Sequence, residues 1–438
     1  MIKNDSRKVN KGDTFIAIKG INRDGHDYID DAIKNGATEI ICEHGKGKIV
    51  KDTKKYLANY LKDNYKEKID KLKLIGITGT NGKTTSAYLL YKALNKINKK
   101  SAYIGTLGFY MNDIHIKLDN TTPDILQLYN LLVKCSDNDI EYVVMEVSSQ
   151  ALSYKRLEYI EFDYAVFTNL TQDHLDYHKT MDSYAKAKKL LFKKLKKNNC
   201  TIINNDDKYK YYYMLDNSIT YGFSKSDYQI TDYKTSIDGS KFKINDEEYE
   251  TKLIGKHNIY NILITIIVLK KLGIEYNQIY NIIKDLDHVQ GRMDTIKYNN
   301  NLIIIDYAHT PDAVFKIINS VKGLGNRIIT IVGCGGNRDK LKRPIMGKVA
   351  SQNSDYVIFT SDNPRLENPE EILKDIVNKL DNNNYEIVIN REKAIKKGIQ
   401  KLKNNDILLI LGKGHEDYQI IGKDKIPFSD KETVLKNI

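Results

Sequence analysis

Cysteine is scarce and scattered: Cys42, Cys135, Cys200 and Cys334 are the only four, and no two form a CxxC pair. That spacing argues against a structural zinc site or a disulfide framework and suits a reducing cytosol. Long apolar runs are missing as well. The longest, around residues 262–269, is far too short to span a bilayer. The opening residues MIKNDSRKVNKGD are charged and lack the apolar stretch of a signal peptide. No internal repeat is visible. A soluble, cytoplasmic protein with no membrane partner is expected.

The 438 residues exceed what one core accommodates, so two or three domains are expected. With 41% hydrophobic and 29% charged residues, the composition is that of a globular protein. The net charge of +12 admits two readings. One is a nucleic-acid or anionic-substrate partner. The other is heavy use of Lys, Asn, Ile and Tyr throughout, as in LFKKLKKNNC and KYKYYYML, which resemble solvated surface. The second reading is favoured, with small anionic substrates as partners and no nucleic acid.

Residues 1–72 mix short strand-like runs (DTFIAI, TEIIC) with a helical stretch around 28–35 and a lysine-rich helix. From Leu74 an apolar run repeatedly ends in polar residues: AYIGTLG, YVVMEVSSQ, YAVFTNLTQDH and CTIINNDD. Alternation of such runs with helices predicts a mostly parallel sheet covered on both faces. Ligands collect at the carboxyl ends of such strands. Residues 208–253 read as an antiparallel excursion, and GKHNIYNILITIIVLKKLG as a buried helix ending at Gly273. The rhythm restarts after Asp285 with LIIIDYAHTPD, IITIVGCGGNRD, YVIFTSDNPR, YEIVINRE and DILLILGKGHE. The fold class is therefore α/β. A small N-terminal domain (1–72), a central P-loop domain (73–285) and a C-terminal α/β domain (286–438) are expected.

LIGITGTNGKTTSAYLL has the strand–loop–helix layout of a phosphate cradle. Gly79, Thr80, Asn81, Gly82, Lys83, Thr84 and Thr85 form the loop. Its backbone N–H groups face the anion, Lys83 reaches the terminal phosphates, and Thr84 can hold Mg²⁺. The usual pattern wants Gly where Ile77 stands. Glu146 ends a strand where an acidic Mg²⁺ ligand sits in P-loop enzymes. His174 and His178, four apart, would share one helical face, with His174 at the Mg²⁺ site and His178 beside it. Arg338 and Arg365, each just beyond a strand, can grip carboxylates bidentately. With Glu416 they suggest a pocket for a zwitterion.

GTNGKTT, NTTPD, MEVSSQAL, TNLTQDHLDYH, GRMD, DYAHTPDA, GCGGNRDKLKRPIMG, DNPR and GKGHE occur in this order. By this series the chain resembles the Mur ligase family over nearly its whole length. Within the family the likeness is to the enzymes that add the third residue of the peptidoglycan stem peptide. The resemblance implies the three-domain architecture, with a C-terminal Rossmann-like domain. It also implies transfer of the γ-phosphoryl group of ATP to the D-Glu carboxylate of UDP-MurNAc-L-Ala-D-Glu, then attack on the acyl phosphate by a diamino acid.

Residue roles follow from the resemblance by position. Thr84, Glu146 and His174 fall in the Mg²⁺ shell, and Lys188 is the lysine carbamylated by CO₂, with Lys186 and Lys189 as neighbouring candidates. Asn261, Arg292 and Asp306 join the loop in binding ATP. Ser6, Asn120, Thr121, Thr122, Ser148, Tyr154 and Arg156 contact the UDP-sugar dipeptide. Two positions depart from the family: Gln150 stands where His is common, and Tyr154 where Gln is common. Arg338, Asp362, Asn363, Pro364, Arg365, Gly412 and Glu416 form the amino-acid pocket, and DNPR implies meso-diaminopimelate. A monomer is expected. The alternatives are an L-lysine-adding or other diamino-acid-adding sibling, a folylpolyglutamate synthetase, and a nucleic-acid-linked P-loop ATPase.

Overall fold

The computed structural model describes residues 1–20 and 23–438, residue 198 by its backbone alone. The chain forms two compact units. Residues 1–78, 98–165 and 182–201 make the first, and 79–97, 166–181 and 202–438 the second.

The first unit opens with four parallel strands in chain order: Ile2–Lys3, Thr14–Ile16, Glu39–Cys42 and Lys48–Ile49. Phe15, Ala17, Ile40 and Cys42 pack with Ile29 and Ala32 of the helix Ile29–Lys34. The lysine-rich helix Thr53–Ile69 is capped by Asp52, whose carboxylate accepts the Lys55 N–H at 2.9 Å. It buries Leu57, Ala58 and Leu61 and leads into the strand Lys73–Thr78. That strand pairs in parallel with Tyr142–Glu146, which pairs in turn with Ser101–Gly105. All three are buried almost throughout, as a sheet covered on both faces requires. Gly108–Met111 and Ile114–Ile116 extend this edge antiparallel, a ribbon the sequence pattern did not announce.

In the second unit the helix Lys83–Lys96 packs on Lys256–Lys271. The latter is buried nearly all round and ends at Gly273, whose φ of +76° suits a residue without Cβ. Tyr228–Ser236, Gly239–Ile244 and Glu247–Thr251 form the expected antiparallel excursion, and Ile219–Gly222 joins it in parallel. The C-terminal sheet runs Asp294–Tyr298, Asn301–Asp306, Ile407–Leu411, Ile328–Val332, Tyr356–Phe359, Tyr385–Ile387. All pairs are parallel except the first, whose edge strand the sequence reading had not resolved.

Two apolar layers cover that sheet. Val314, Ile318, Met346, Ala350 and Ile372 pack on one face, and Ala394, Ile395 and Val434 on the other. Arg391 and Asp430, both fully buried, clasp the second layer through two bonds of 2.7 Å. Because Ile407–Leu411 lies between Asn301–Asp306 and Ile328–Val332, the last strand in sequence enters the middle of the sheet. Four adjacent carboxyl ends thus carry Asp306, Gly412–Glu416, Gly335–Arg338 and Asp362–Arg365. Among the described residues no helix is long and apolar enough to cross a membrane. None of the four cysteines forms a disulfide, and burial pushes the thiols of Cys135 and Cys334 up to about 12.

Candidate active site

The loop after Thr78 is set by two glycines. Gly79 has φ +153° and Gly82 φ +86°, and an added Cβ would meet Thr168 Oγ1 at 1.9 Å or Asn261 Oδ1 at 2.5 Å. The segment Thr168–Thr171 braces the loop from below. Thr80 N–H donates to the Asn169 carbonyl at 2.8 Å and Asn81 N–H to Asn169 Oδ1 at 3.0 Å. Thr168 Oγ1 and Asn169 Nδ2 both donate to the Asn81 carbonyl. The helix then starts at Lys83, so its first N–H groups and its positive dipole end open toward the loop. Lys83 Nζ folds back on the carbonyls of Gly79 (2.9 Å) and Thr80 (2.8 Å), at the mouth of the cradle.

Three distant residues converge on this helix start. Arg292 Nη2 donates to Thr84 Oγ1 at 3.3 Å, and its guanidinium lies 4.5 Å over the Tyr307 ring. Asn261 accepts from Ser86 Oγ at 3.2 Å. Buried Asp306 accepts the N–H groups of Met293 (2.8 Å) and Ala308 (2.7 Å). Burial raises its pKa, opposed by Arg292 and these two bonds. Thr84 and Thr85 are both buried. The sequence-expected nucleotide residues of this unit are thus brought together.

In the first unit Glu146 is wholly enclosed, yet its oxygens are well supplied. Tyr103 O–H donates at 2.6 Å and Thr106 N–H at 2.8 Å to Oε1, while Thr106 Oγ1 reaches Oε2 at 3.2 Å. Thr106 Oγ1 also meets Thr121 Oγ1 at 3.1 Å. Thr122 Oγ1 donates to the Glu146 carbonyl at 2.9 Å and accepts the Ser148 N–H at 3.0 Å. Ser148 caps the helix Ser149–Ser153. Arg156 Nη1 donates to the Thr122 carbonyl at 2.7 Å and stacks 5.8 Å from the Tyr154 ring. NTTPD, MEVSS and Arg156 are therefore one connected cluster, with Asn120 exposed beside it. Ser6 is buried at the start of the turn Ser6–Lys8, and its carbonyl accepts Asn35 Nδ2.

Lys188 lies in the helix Met181–Phe192 and is 1% exposed, its ammonium 4.4 Å over the Tyr184 ring. Lys186 is exposed and paired with Asp182 at 2.6 Å, and Lys189 is exposed. The two histidines correct the sequence expectation. His174 has φ +52° and precedes the helix Leu175–His178, so it stands outside the helical periodicity that one shared face requires. His174 is half-exposed, 3.5 Å from Asp173, whereas His178 is buried. Among the described residues no three His, Cys, Asp or Glu side chains form a ready metal-ligating cluster.

The C-terminal strand ends build a different pocket. Arg365 sits at φ +53° and donates to the Gly336 carbonyl at 2.8 Å. Burial, then the neighbouring Arg338 charge, lower its pKa from the usual guanidinium value. Asn363 Nδ2 donates to Glu416 Oε2 at 3.0 Å. Pro364 presses on Gly336, where a Cβ would come within 1.9 Å of the Pro364 carbonyl, and Gly412 (φ +115°) passes against Asp362. The two Arg-bearing loops are locked from behind by Arg343. This 1%-exposed side chain pairs with Glu367 (3.0 Å) and Asp375 (2.8 Å), and Glu367 accepts the Asn337 N–H.

Sequence reasoning missed Arg343, Tyr103, Thr106 and Lys413. Each stands within a few residues of a motif, but nothing in its spacing distinguishes it. Lys413 is the most consequential, being fully buried amid Asp362, Asn363 and Glu416.

A glycine-formed loop between strand and helix, with cations converging on the helix start, defines a P-loop nucleotide-binding protein of the α/β class. Comparison with known proteins narrows that class. The Mur ligase family catalytic domain matches residues 1–71, the Mur ligase middle domain 77–269, and the Mur ligase glutamate ligase domain 291–414. The chain belongs to the Mur ligase family. It is 42% identical to UDP-N-acetylmuramoyl-L-alanyl-D-glutamate–2,6-diaminopimelate ligase 1 of Clostridium acetobutylicum, over 99% of this chain and 93% of that protein. It is 44% identical to the 2,6-diaminopimelate ligase of the same description from Fusobacterium nucleatum, over 100% and 93%. A solved structure of a ligase so described superposes with a TM-score of 0.69 at 31% identity, covering 100% of this chain and 94% of that one.

Proposed function

We propose that the chain is an ATP-dependent ligase joining meso-diaminopimelate to the D-Glu carboxylate of UDP-MurNAc-L-Ala-D-Glu, a step in making peptidoglycan precursors. The observation that carries this reading is the C-terminal pocket, where adjacent strand ends bring Arg338 and Arg365 together beside Gly335 and link Asn363 to Glu416. Guanidinium groups recognise carboxylates, and carboxylates recognise ammonium groups. A diamino acid with a second, distal carboxylate satisfies both. L-lysine has no such carboxylate and would leave a half-buried Arg365 unpaired. The names of the relatives at 42% and 44% identity support the same substrate.

The chemistry follows from the groups at hand. A D-Glu carboxylate oxygen bonds to the γ-phosphorus of ATP, the bridging P–O bond breaks, and ADP leaves. The amine of the amino acid then attacks the acyl phosphate and loses a proton as inorganic phosphate departs. The nucleotide side belongs to Gly79, Thr80, Asn81, Gly82, Lys83, Thr84, Thr85, Asn261, Arg292 and Asp306. Lys83 would leave its two carbonyls for the β/γ-phosphates. Ser6, Asn120, Thr121, Thr122, Ser148, Tyr154 and Arg156 would hold the UDP-sugar dipeptide.

Mg²⁺ bound with the nucleotide supplies charge neutralisation for phosphoryl transfer. Thr84, Glu146 and His174 are the residues proposed to hold it, the first two through oxygen. Oxygen donors suit this hard cation. Lys188 is proposed as the carbamate-forming lysine, because its side chain is enclosed while those of Lys186 and Lys189 are exposed. The boundaries 1–72, 73–285 and 286–438 are proposed for the dipeptide-, nucleotide- and amino-acid-binding domains of a monomer acting in the cytoplasm.

The test is to incubate pure enzyme with ATP, Mg²⁺ and UDP-MurNAc-L-Ala-D-Glu, offer a panel of amino acids, and weigh the product. The meso-diaminopimelate adduct is expected. Its kcat/KM should exceed that of L-lysine by about 10²–10⁴-fold, the range for losing a charged partner in a polar pocket. Arg365→Ala should shrink that ratio at least tenfold. Wild-type enzyme that prefers lysine would overturn the substrate.

A further inference from the structure

Lys413 follows the strand Ile407–Leu411 and the left-handed Gly412, and its side chain has no exposed surface. Nothing in the reaction just described uses it. Its Nζ lies 3.0 Å from Glu416 Oε2, 3.2 Å from Asn363 Oδ1 and 3.7 Å from Asp362 Oδ1. Asn363 closes a triangle by donating from Nδ2 to the same Glu416 Oε2 at 3.0 Å. The ammonium also fixes which way the Asn363 amide points. Were the amide reversed, its NH₂ would face the lysine and its oxygen the carboxylate, two repulsive contacts in place of two attractive ones. Asn363 Oδ1 additionally accepts the Ile420 N–H at 3.0 Å, which anchors the triangle to the following hairpin.

We propose that Lys413 is a positioning residue for amino-acid recognition, holding Glu416 Oε2 and the Asn363 amide so that Glu416 Oε1 and Asp362 receive the ammonium end of the incoming diamino acid. This rests on the amino-acid pocket assigned above. Two features favour it over a purely structural counter-ion. Asp362 Oδ1 is buried with no hydrogen-bond partner, and Lys413 stands beyond hydrogen-bonding reach of it, so an acceptor is left for a ligand. The charges also match. Lys413, Arg338 and Arg365 outnumber Asp362 and Glu416 by one. A diamino diacid whose attacking amine is neutral carries one net negative charge. Without Lys413 the two carboxylates lack their internal cation, and Glu416 is free to turn.

The experiment measures KM for each of the three substrates in Lys413→Met and in the double variant Lys413→Met/Glu416→Gln. The double variant removes the buried ion pair together and so keeps a folded enzyme available. Both variants should raise the KM for diaminopimelate by about thirtyfold or more, equivalent to about one lost charged hydrogen bond. The KM for ATP and for the UDP-sugar dipeptide should stay within twofold. An unchanged diaminopimelate KM in both variants, or a parallel rise in all three KM values, would overturn the assignment. Should the wild type add a different amino acid, the substrate reading fails on its own, and the same KM comparison with that amino acid still decides the role of Lys413.

Discussion

At the scale of single residues, Lys83 and Lys188 carry the plainest expectations. Lys83 Nζ rests on two loop carbonyls, a position from which it reaches a phosphate without rebuilding the backbone. Lys83→Ala should lower kcat by about 10²–10³, the usual cost of one preorganised cationic contact, with little change in melting temperature. Lys188→Ala should be equally disabling, and added short-chain carboxylates should restore part of the rate by standing in for the carbamate. Lys186→Ala and Lys189→Ala, at exposed positions, should leave turnover near wild type. A fully active Lys188→Ala would remove the carbamate from the proposal. Burial is what separates these three lysines, and no spacing rule could have done so. The same holds for His174. Its i,i+4 relation to His178 reads as one helical face, but a left-handed residue just before the helix breaks the periodicity on which that reading depends.

At the scale of elements, much of the fold was legible because each parallel strand is a short apolar run ended by polar residues, and each loop motif sits at such an end. The Asp294–Tyr298 edge strand and the hairpin of Tyr418–Ile421 with Asp424–Pro427 were not legible, since their half-exposed residues lack an apolar run. That hairpin matters. Arg365 N–H donates to the Ile420 carbonyl at 3.0 Å and Gly422 N–H to the Arg365 carbonyl at 2.7 Å, so Arg365 is hydrogen-bonded into a neighbouring ribbon. Arg343 performs the matching task from the other side, through Glu367 and Asp375. Arg343→Met should destabilise the protein by about 2 kcal/mol in urea unfolding, less than the roughly 3–5 kcal/mol for breaking a fully buried ion pair, because the carboxylates retain access to water. It should also raise the KM for the amino acid, because the loops bearing Arg338 and Arg365 lose their common brace. Stability lost with the KM untouched would mean that the loops are held by the hairpin alone.

At the scale of the whole molecule, the net charge of +12 is matched by the anionic substrates proposed above, and no nucleic-acid partner is proposed for it. Added RNA should leave ATP turnover unchanged at physiological salt. Nucleotide with Mg²⁺ at a hundred times its Kd should add about 2.7 kcal/mol of stability, read as a rise in melting temperature. Lys83→Ala should abolish most of that rise. The division of the chain into interleaved segments reaches beyond equilibrium. Residues 1–78, 98–165 and 182–201 are all available once residue 201 has been synthesised, so the first unit can finish folding on the ribosome. The helix Lys83–Lys96 emerges early but belongs to the second unit, and it has to wait for the helix Lys256–Lys271 on which it packs. The nucleotide loop at the head of that helix therefore matures only late in translation, and until then a nascent chain displays an apolar helix face that invites chaperones.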